Sequence, residues 1–263
     1  MNIHFITFGD SIDSSRIPAF HRIQSAERIC DQIMETGWVN SAKFYTLEII
    51  KNNFATWYKN NIDFILNNQR GCGYWIWKPF IIAATLKSLN EGDILIYADA
   101  GYEISNAAQK RFDEYILLTQ QYDLLAFDIE ESIEKWTKSD LLDYFGVLNN
   151  QTIAKEQQIQ SGLIFIKNNI QSLSYINFWL SLSIINNHYL IDDTNSNNDL
   201  NSPVFIENRH DQSIFSLILR INKFGIILPD ESYTPDLFNQ GKYNAAFPFQ
   251  CLRNPSGTRM IPK

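Results

Sequence analysis

The chain opens on an apolar run, Ile3 to Phe8, stopped at Gly9-Asp10, which is the pattern of a buried first strand. Phe20, Ile23, Ala26, Ile29, Cys30, Ile33 and Met34 then recur at spacings of three and four with polar residues between them. That period predicts a helix, with Gly37 placed to close it as a C-cap. A short strand over Phe44 to Leu47 and one or two helical stretches over Leu47 to Ile65 follow, so the chain begins βαβα. Between Arg70 and Glu103 the pattern predicts a glycine- and aromatic-rich loop closed by Lys78-Pro79, then a helix to about Leu89. A turn at Glu91-Gly92-Asp93 leads into the strand Ile94 to Tyr97, which delivers Asp99 at its C-terminal end.

Further on, a helix is expected over Asn106 to Thr119 and a strand over Asp123 to Phe127, ending in Asp128, Glu130 and Glu131. Ser139 to Phe145 reads as a short helix, and Gln160-Ser161-Gly162 introduces the strand Leu163 to Ile166. Asn168-Asn169 begins a helix running through Phe178 and Leu182, the polar stretch Asp192 to Ser202 reads as a surface loop, and Asn208 to Leu219 as a helix. A last strand, Ile226 to Pro229, precedes a mostly irregular tail over about 230–263. Strands alternating with helices, without internal repeats or a Pro/Gly linker, predict a single α/β domain over 1–263. Its central sheet should be mainly parallel, with helices on both faces.

With 263 residues and 45% hydrophobic content the chain can bury a substantial core. Most of the aromatic residues, 14% of the total, belong to that core, and part of them suits the faces of sugars and bases. A formal charge of −7 offers no basic field to hold a nucleic-acid backbone. Cys30, Cys72 and Cys251 are odd in number and widely spaced, which argues against a disulfide framework and for a reducing, cytoplasmic compartment. The N-terminus lacks a signal-peptide pattern and no run of 18 apolar residues occurs, so a membrane span is not expected, while peripheral contact at the inner face of the membrane stays open.

Neither a dinucleotide fingerprint nor a P-loop is present, and four histidines make a multi-histidine metal centre a poor expectation. A carboxylate at a strand end, as at Asp99, can ligate a divalent cation, hydrogen-bond a ribose hydroxyl or simply cap a turn. Asp211 has two readings as well: a base or charge stabiliser facing a ligand, or the N3 residue of a helix capped by Asn208. In an extended segment Trp75 and Trp77 would face one side together, either as core or as a binding face. Lys78, Arg22 and Arg70 are the candidate phosphate partners, and Cys72, with no histidine beside it, reads as a packing residue.

The sequence GYWIWKP, an intervening helix and a strand ending in DAG resemble bacterial and viral glycosyltransferases of the GT-A type, whose DxD-like strand-end motif holds the metal and diphosphate of a nucleotide-sugar. Glu134 to Asp140, Gln160-Ser161-Gly162 and Arg209 to Ser213 are similar to later segments of that family, so the resemblance spans roughly residues 1 to 230. It implies a GT-A, Rossmann-like fold and a hexosyltransferase moving sugar from a nucleoside-diphosphate sugar, of the UDP type, to a glycan hydroxyl. The acceptor would be a glycan or lipid-linked glycan in surface polysaccharide synthesis of the capsule or O-antigen kind.

Residue by residue, the resemblance implies that Thr7 and Phe8 lie near the nucleobase and that Arg22, Tyr74, Trp75, Trp77 and Lys78 surround the donor. Asp99 and Ala100 would meet ribose or metal, Ser161 and Gly162 would border the sugar, and Asp211 would be catalytic. Trp136, Lys138 and His210 are the implied acceptor contacts. A Mn2+ or Mg2+ ion is implied at Asp99, with Glu103 as a possible second ligand, because Gly101 stands where DxD has its second acid. Inversion or retention at the anomeric carbon is left open. Two other readings compete: nucleotidyl transfer to a sugar phosphate, and a glycan-binding module without turnover.

Overall fold

The structure, a computed structural model, describes residues 1–10, 23–195, 200–234, 237, 240, 242–254 and 257–261. The N-terminal part runs β1 (Ile3–Phe8), α1 (Ile23–Thr36), β2 (Ser41–Tyr45), α2 (Leu47–Asn53), α3 (Ala55–Asn67), the single turn α4 (Gly71–Tyr74), α5 (Trp77–Leu86) and β3 (Ile94–Ala98). Next come β4 (Glu103–Ile104), α6 (Gln109–Tyr122), β5 (Leu124–Ser132), α7 (Ile133–Trp136), α8 (Ser139–Tyr144), α9 (Gln151–Lys155), β6 (Gln157–Ile159) and β7 (Leu163–Lys167). The chain finishes with α10 (Ile170–His188), α11 (Asp211–Asn222), β8 (Ile226–Leu228) and β9 (Phe249–Gln250).

Seven strands form one sheet in the order β2-β1-β3-β7-β5-β6, with β8 also paired to β5. β1, β2, β3, β5 and β8 point one way, while β7 and β6 run against them, so the sheet is mainly parallel as the sequence predicts. Alternate residues feed two cores. Ile6, Phe8, Leu95, Tyr97, Ile164 and Ile166 meet α5, α10 and α11 on one face, whereas Phe5, Ile94, Ile96 and Phe165 meet α1 and α6 on the other. With both faces covered, β3 is buried at all five positions, which is why ILIYA reads as a continuous apolar run.

Several expected elements move or lengthen. β5 continues through Asp128, Glu130 and Glu131 to Ser132, because β6, a strand the hydrophobic pattern does not mark, pairs with that polar half. α11 starts at Asp211 with His210 as the N-cap, so Asp211 is the first helical residue and not the N3 position behind Asn208. The tail is not wholly irregular, since β9 pairs antiparallel with β4. Gly37 does close α1, at φ 72° with its amide on the Met34 carbonyl at 3.1 Å. The start of the first predicted helix at Phe20 and part of the loop Asp192 to Ser202 lie outside the described residues.

Candidate functional site

A cavity of about 980 Å3 opens at the C-terminal ends of β3, β5 and β8. Such crevices are where ligands sit in open α/β sheets. β6 and β7 form its floor by an interruption in a common path along β5. Asp128 lies three positions after Leu125 on β5, but their partners Ile159 and Phe165 lie six positions apart. The excess falls at Gln160-Ser161-Gly162: the Gln160 amide still donates to the Phe127 carbonyl of β5 at 2.9 Å, and Ser161-Gly162 passes beneath the end of β3, where the Asp99 amide donates to the Gly162 carbonyl at 2.9 Å. A Cβ on Gly162 would lie 3.0 Å from Asp99 Oδ2 and 3.4 Å from the Tyr102 hydroxyl, so glycine is what lets the carboxylate in.

Three elements converge on Lys78, which α5 carries into the protein with only 2% exposure. Its Nζ lies 2.9 Å from Asp211 Oδ2 and 3.4 Å from Asp99 Oδ1, and donates to Ser161 Oγ at 3.1 Å. Ser161 Oγ in turn donates to Asp211 Oδ2 at 2.7 Å, and the Tyr97 hydroxyl donates to Asp99 Oδ1 at 2.5 Å. Burial pulls the Lys78 ammonium toward deprotonation, but Asp211 and Asp99 together outweigh it and hold its pKa above the ordinary lysine value. Burial likewise pushes the Asp211 carboxyl above its usual range, against the pull of Lys78 and Ser161. The Tyr97 phenol, raised by burial and by Asp99, stays a donor. Asp99 is the part-exposed member, at 29% of its side chain, and faces the cavity.

The loop before α5 aims its aromatics by an unusual backbone. Gly71, Cys72, Gly73, Tyr74 and Trp75 all have positive φ, and a Cβ on Gly71 would strike the Trp75 ring at 2.3 Å. This chain of left-handed turns separates the two tryptophans that an extended segment would keep on one side. Trp75 lines the cavity. Trp77 points into the core, stacks on Phe8 at 3.8 Å and donates its indole N–H to the Gly71 carbonyl at 3.0 Å. Phe8 and Thr7 are buried in the same region and do not line the cavity. Tyr74, outside the lining too, stacks on His210 at 4.2 Å and donates to Asp193 Oδ2 at 2.7 Å. Arg22 lies outside the described residues.

Other expected site residues have structural duties. Ala100 is buried, and its carbonyl accepts from Arg28 Nη2 at 2.8 Å. Glu103 is fully buried behind that loop, 3.4 Å from Arg28 Nη1, and accepts from Gln32, Asn254 and the amides of Met260 and Ile261. Its oxygens tie the tail to α1 instead of joining Asp99. Lys138, 1% exposed, donates to the carbonyls of Tyr189, Asp192 and Thr194 and pairs with Asp192 Oδ1 at 3.0 Å, away from the cavity. His210 does line it, but Nδ1 bonds the Ile191 carbonyl at 2.7 Å, and burial draws its pKa down to about 4.

The donor set does not fit a divalent cation, which seeks several oxygen ligands. The Lys78 ammonium already occupies the space between Asp99 and Asp211, Glu103 is consumed by the tail, and among the described residues no three His, Cys, Asp or Glu side chains gather to hold a metal.

Several lining residues escape sequence reasoning. Tyr102 donates to Gln160 Oε1 at 2.5 Å, and Gln160 Nε2 donates to Asp230 Oδ1 at 3.1 Å, which orients a further, half-buried carboxylate with a pKa raised by desolvation. Asp230 comes from the residues just after β8, and Arg253 from the tail. Arg209 stacks over Trp136 at 3.9 Å and reaches Glu207 at 3.2 Å, and Arg70 forms a fork on the same Glu207 at 2.8 and 3.1 Å. Asp99, Asp211, Arg70 and Trp136 carry a sequence signal; Tyr102, Gln160, Asp230, Arg209 and Arg253 gain their place only through the tertiary fold.

Fold and site together define a Rossmann-like α/β protein with a polar, charge-lined cavity at its strand ends. No family model matches the sequence, and no curated protein matches it. Among solved structures, the chain is similar to a glycosyltransferase involved in glycosylation of the major capsid of PBCV-1, with 10% identity, 71% of this chain and 68% of that chain covered and a TM-score of 0.35. It is also similar to mouse xyloside xylosyltransferase 1, apo form, with 9% identity, 88% and 86% covered and a TM-score of 0.46. At these values the likeness bears no weight for the chemistry, which rests on the cavity itself. No helix among the described residues is long and apolar enough to cross a membrane.

Proposed function

We propose that this protein is a glycosyltransferase that moves a sugar from a nucleoside-diphosphate sugar, of the UDP type, to a hydroxyl of a glycan acceptor in surface polysaccharide synthesis. The observation that carries the reading is the floor of the cavity, where part-exposed Asp99 and buried Lys78, Ser161 and Asp211 form one charge set below the end of β3. A volume of about 980 Å3 suits a ligand of nucleotide-sugar size. Carboxylates and Gln160 on the floor offer acceptors and donors for sugar hydroxyls.

In the transfer, the bond from the anomeric carbon to the diphosphate breaks and its electron pair leaves with the diphosphate. The acceptor oxygen forms the new bond to that carbon. Its proton passes to a carboxylate if the reaction inverts, and Asp211, whose pKa burial raises, is the better base for that than a solvated aspartate. Lys78 keeps Asp211 and Asp99 in place and compensates their charge, so its part is positioning. Gly162 and Ser161 border the sugar, and Trp75 supplies an aromatic wall.

Incubation with a panel of nucleotide-sugars and glycan acceptors, with nucleoside-diphosphate release as the readout, tests the reading. Release that needs the acceptor and falls sharply in Asp211→Asn, with folding and donor binding kept, is the expected result. Pyrophosphate release from a nucleoside triphosphate and a sugar phosphate would replace it with nucleotidyl transfer, and binding without turnover with a glycan-binding module.

A further inference from the structure

The cavity is polarised. Its floor sets three carboxylates, Asp99, Asp211 and Asp230, against one ammonium, Lys78, and three more acids line it, of which Asp128 pairs with Arg220 and Glu131 with Lys135 while Glu130 is exposed. Its wall carries three guanidiniums, Arg70, Arg209 and Arg253, the first two of which share Glu207, a carboxylate outside the lining. Arg209 is exposed, stacked over Trp136 at 3.9 Å, with its Nε 3.2 Å from Glu207 Oε1. Arg253 is exposed and has no ion-pair partner among the described residues. Burial and the nearby charges of Arg70 and Arg253 oppose the charge on Arg209, while Glu207 and Glu131 favour it. Like charges gathered in a concave wall raise one another's energy, and a bound anion relieves that cost.

Arg253 is also fixed in place. The next residue, Asn254, donates its amide to the Gly101 carbonyl at 2.9 Å, and its side chain bonds Glu103 in the brace beneath the Asp99 loop. The arginine is therefore tethered to the loop that carries Asp99.

Resting on the glycosyltransferase reading for the identity of the ligand, we propose that Arg209 and Arg253, backed by Arg70, form a diphosphate subsite, so that guanidinium charge and not a divalent cation holds the leaving group. Guanidinium forks match phosphate oxygens in a planar, two-bond geometry. The carboxylate floor repels the diphosphate and is left to the sugar hydroxyls, which orients the donor across the cavity with its phosphates toward the wall.

Calorimetric titration of the full chain with UDP and with inorganic pyrophosphate, in EDTA and in Mn2+, tests this. Both ligands should bind in EDTA within about twofold of their affinity in Mn2+. Arg209→Gln should weaken both by about tenfold or more and Arg253→Gln by about fivefold, with a shallower salt dependence in each, as expected for lost charge-assisted contacts. Binding that requires Mn2+, or affinities unchanged in both variants, would overturn the proposal. Should Arg209→Gln melt well below the parent, Arg253→Gln, at an exposed position, decides the matter. Arginine-dependent pyrophosphate binding without turnover of any nucleotide-sugar would sink the glycosyltransferase reading and keep the subsite; turnover with both variants unaffected would do the reverse.

Discussion

Two buried lysines, Lys78 and Lys138, have nearly the same exposure, 2% and 1%, and different employment. Lys138 spends its ammonium mainly on backbone carbonyls of the segment after α10, with Asp192 as its one carboxylate among the described residues. Lys78 spends its ammonium on side chains, two carboxylates and a hydroxyl that arrive from three distant parts of the chain and face a cavity. Carbonyl partners cannot change their charge, so the first site is a clamp. Carboxylates can take up a proton, so the second can do chemistry. Burial of a lysine alone does not tell the two apart; the kind of partner does.

The largest effect is expected at the second site. Lys78→Met leaves two carboxylates uncompensated and should lower transfer by about a thousandfold, or about 4 kcal/mol of transition-state stabilisation. Steady-state assays on folded protein check this, and turnover near the parent level would erase the distinction between the lysines. Lys138→Met should instead cost about 3 to 5 kcal/mol of stability, the range for breaking one side of a buried pair, while turnover per folded molecule survives. Urea denaturation beside an activity assay measures both.

The third expectation concerns His210, which borders Asp211. Its folded-state pKa, about 4, lies below the ordinary 6.5, so its contribution to stability is fully present above about pH 6.5 and is lost as pH falls toward 4. The loss amounts to about 3 kcal/mol at most. Denaturation midpoints between pH 7 and 4 should show it, and His210→Gln should flatten that limb; an unchanged slope would remove His210 as its source. Gly162→Ala should have a smaller effect, a drop in transfer of about tenfold with a stability change near 1 kcal/mol, because the new methyl must displace Asp99 by only a few tenths of an ångström. The smallest is at the exposed pair Lys135 and Glu131, where Lys135→Ala should cost well under 1 kcal/mol.

Much of the fold was legible because burial on both sheet faces writes itself as apolar runs. β1, β3 and β7 stand where Ile3 to Phe8, Ile94 to Tyr97 and Leu163 to Ile166 predict them, and the period of α1 is visible in Ala26, Ile29 and Ile33. β6 was not legible, since QQI carries no apolar pattern and exists through pairing with the equally polar end of β5. Of the candidate site, Asp99, Lys78, Ser161, Gly162, Trp75 and Asp211 are brought together, whereas Trp77, Phe8 and Thr7 go to the core and Lys138 to a clamp.

By itself, the sequence determined the local order: which stretches are apolar enough to be strands, which are periodic enough to be helices, and that a strand ends in a lone Asp99. Tertiary structure alone decided what that aspartate meets. Lys78, Asp211 and Ser161 are 21, 112 and 62 positions from it along the chain, and Arg253 is 154 away. Side-chain charge is encoded locally, but the pairing that sets a pKa or builds a subsite depends on distance in space. Here that distance was set by a bulge in β6–β7, five left-handed residues before α5, and a tail held by Glu103.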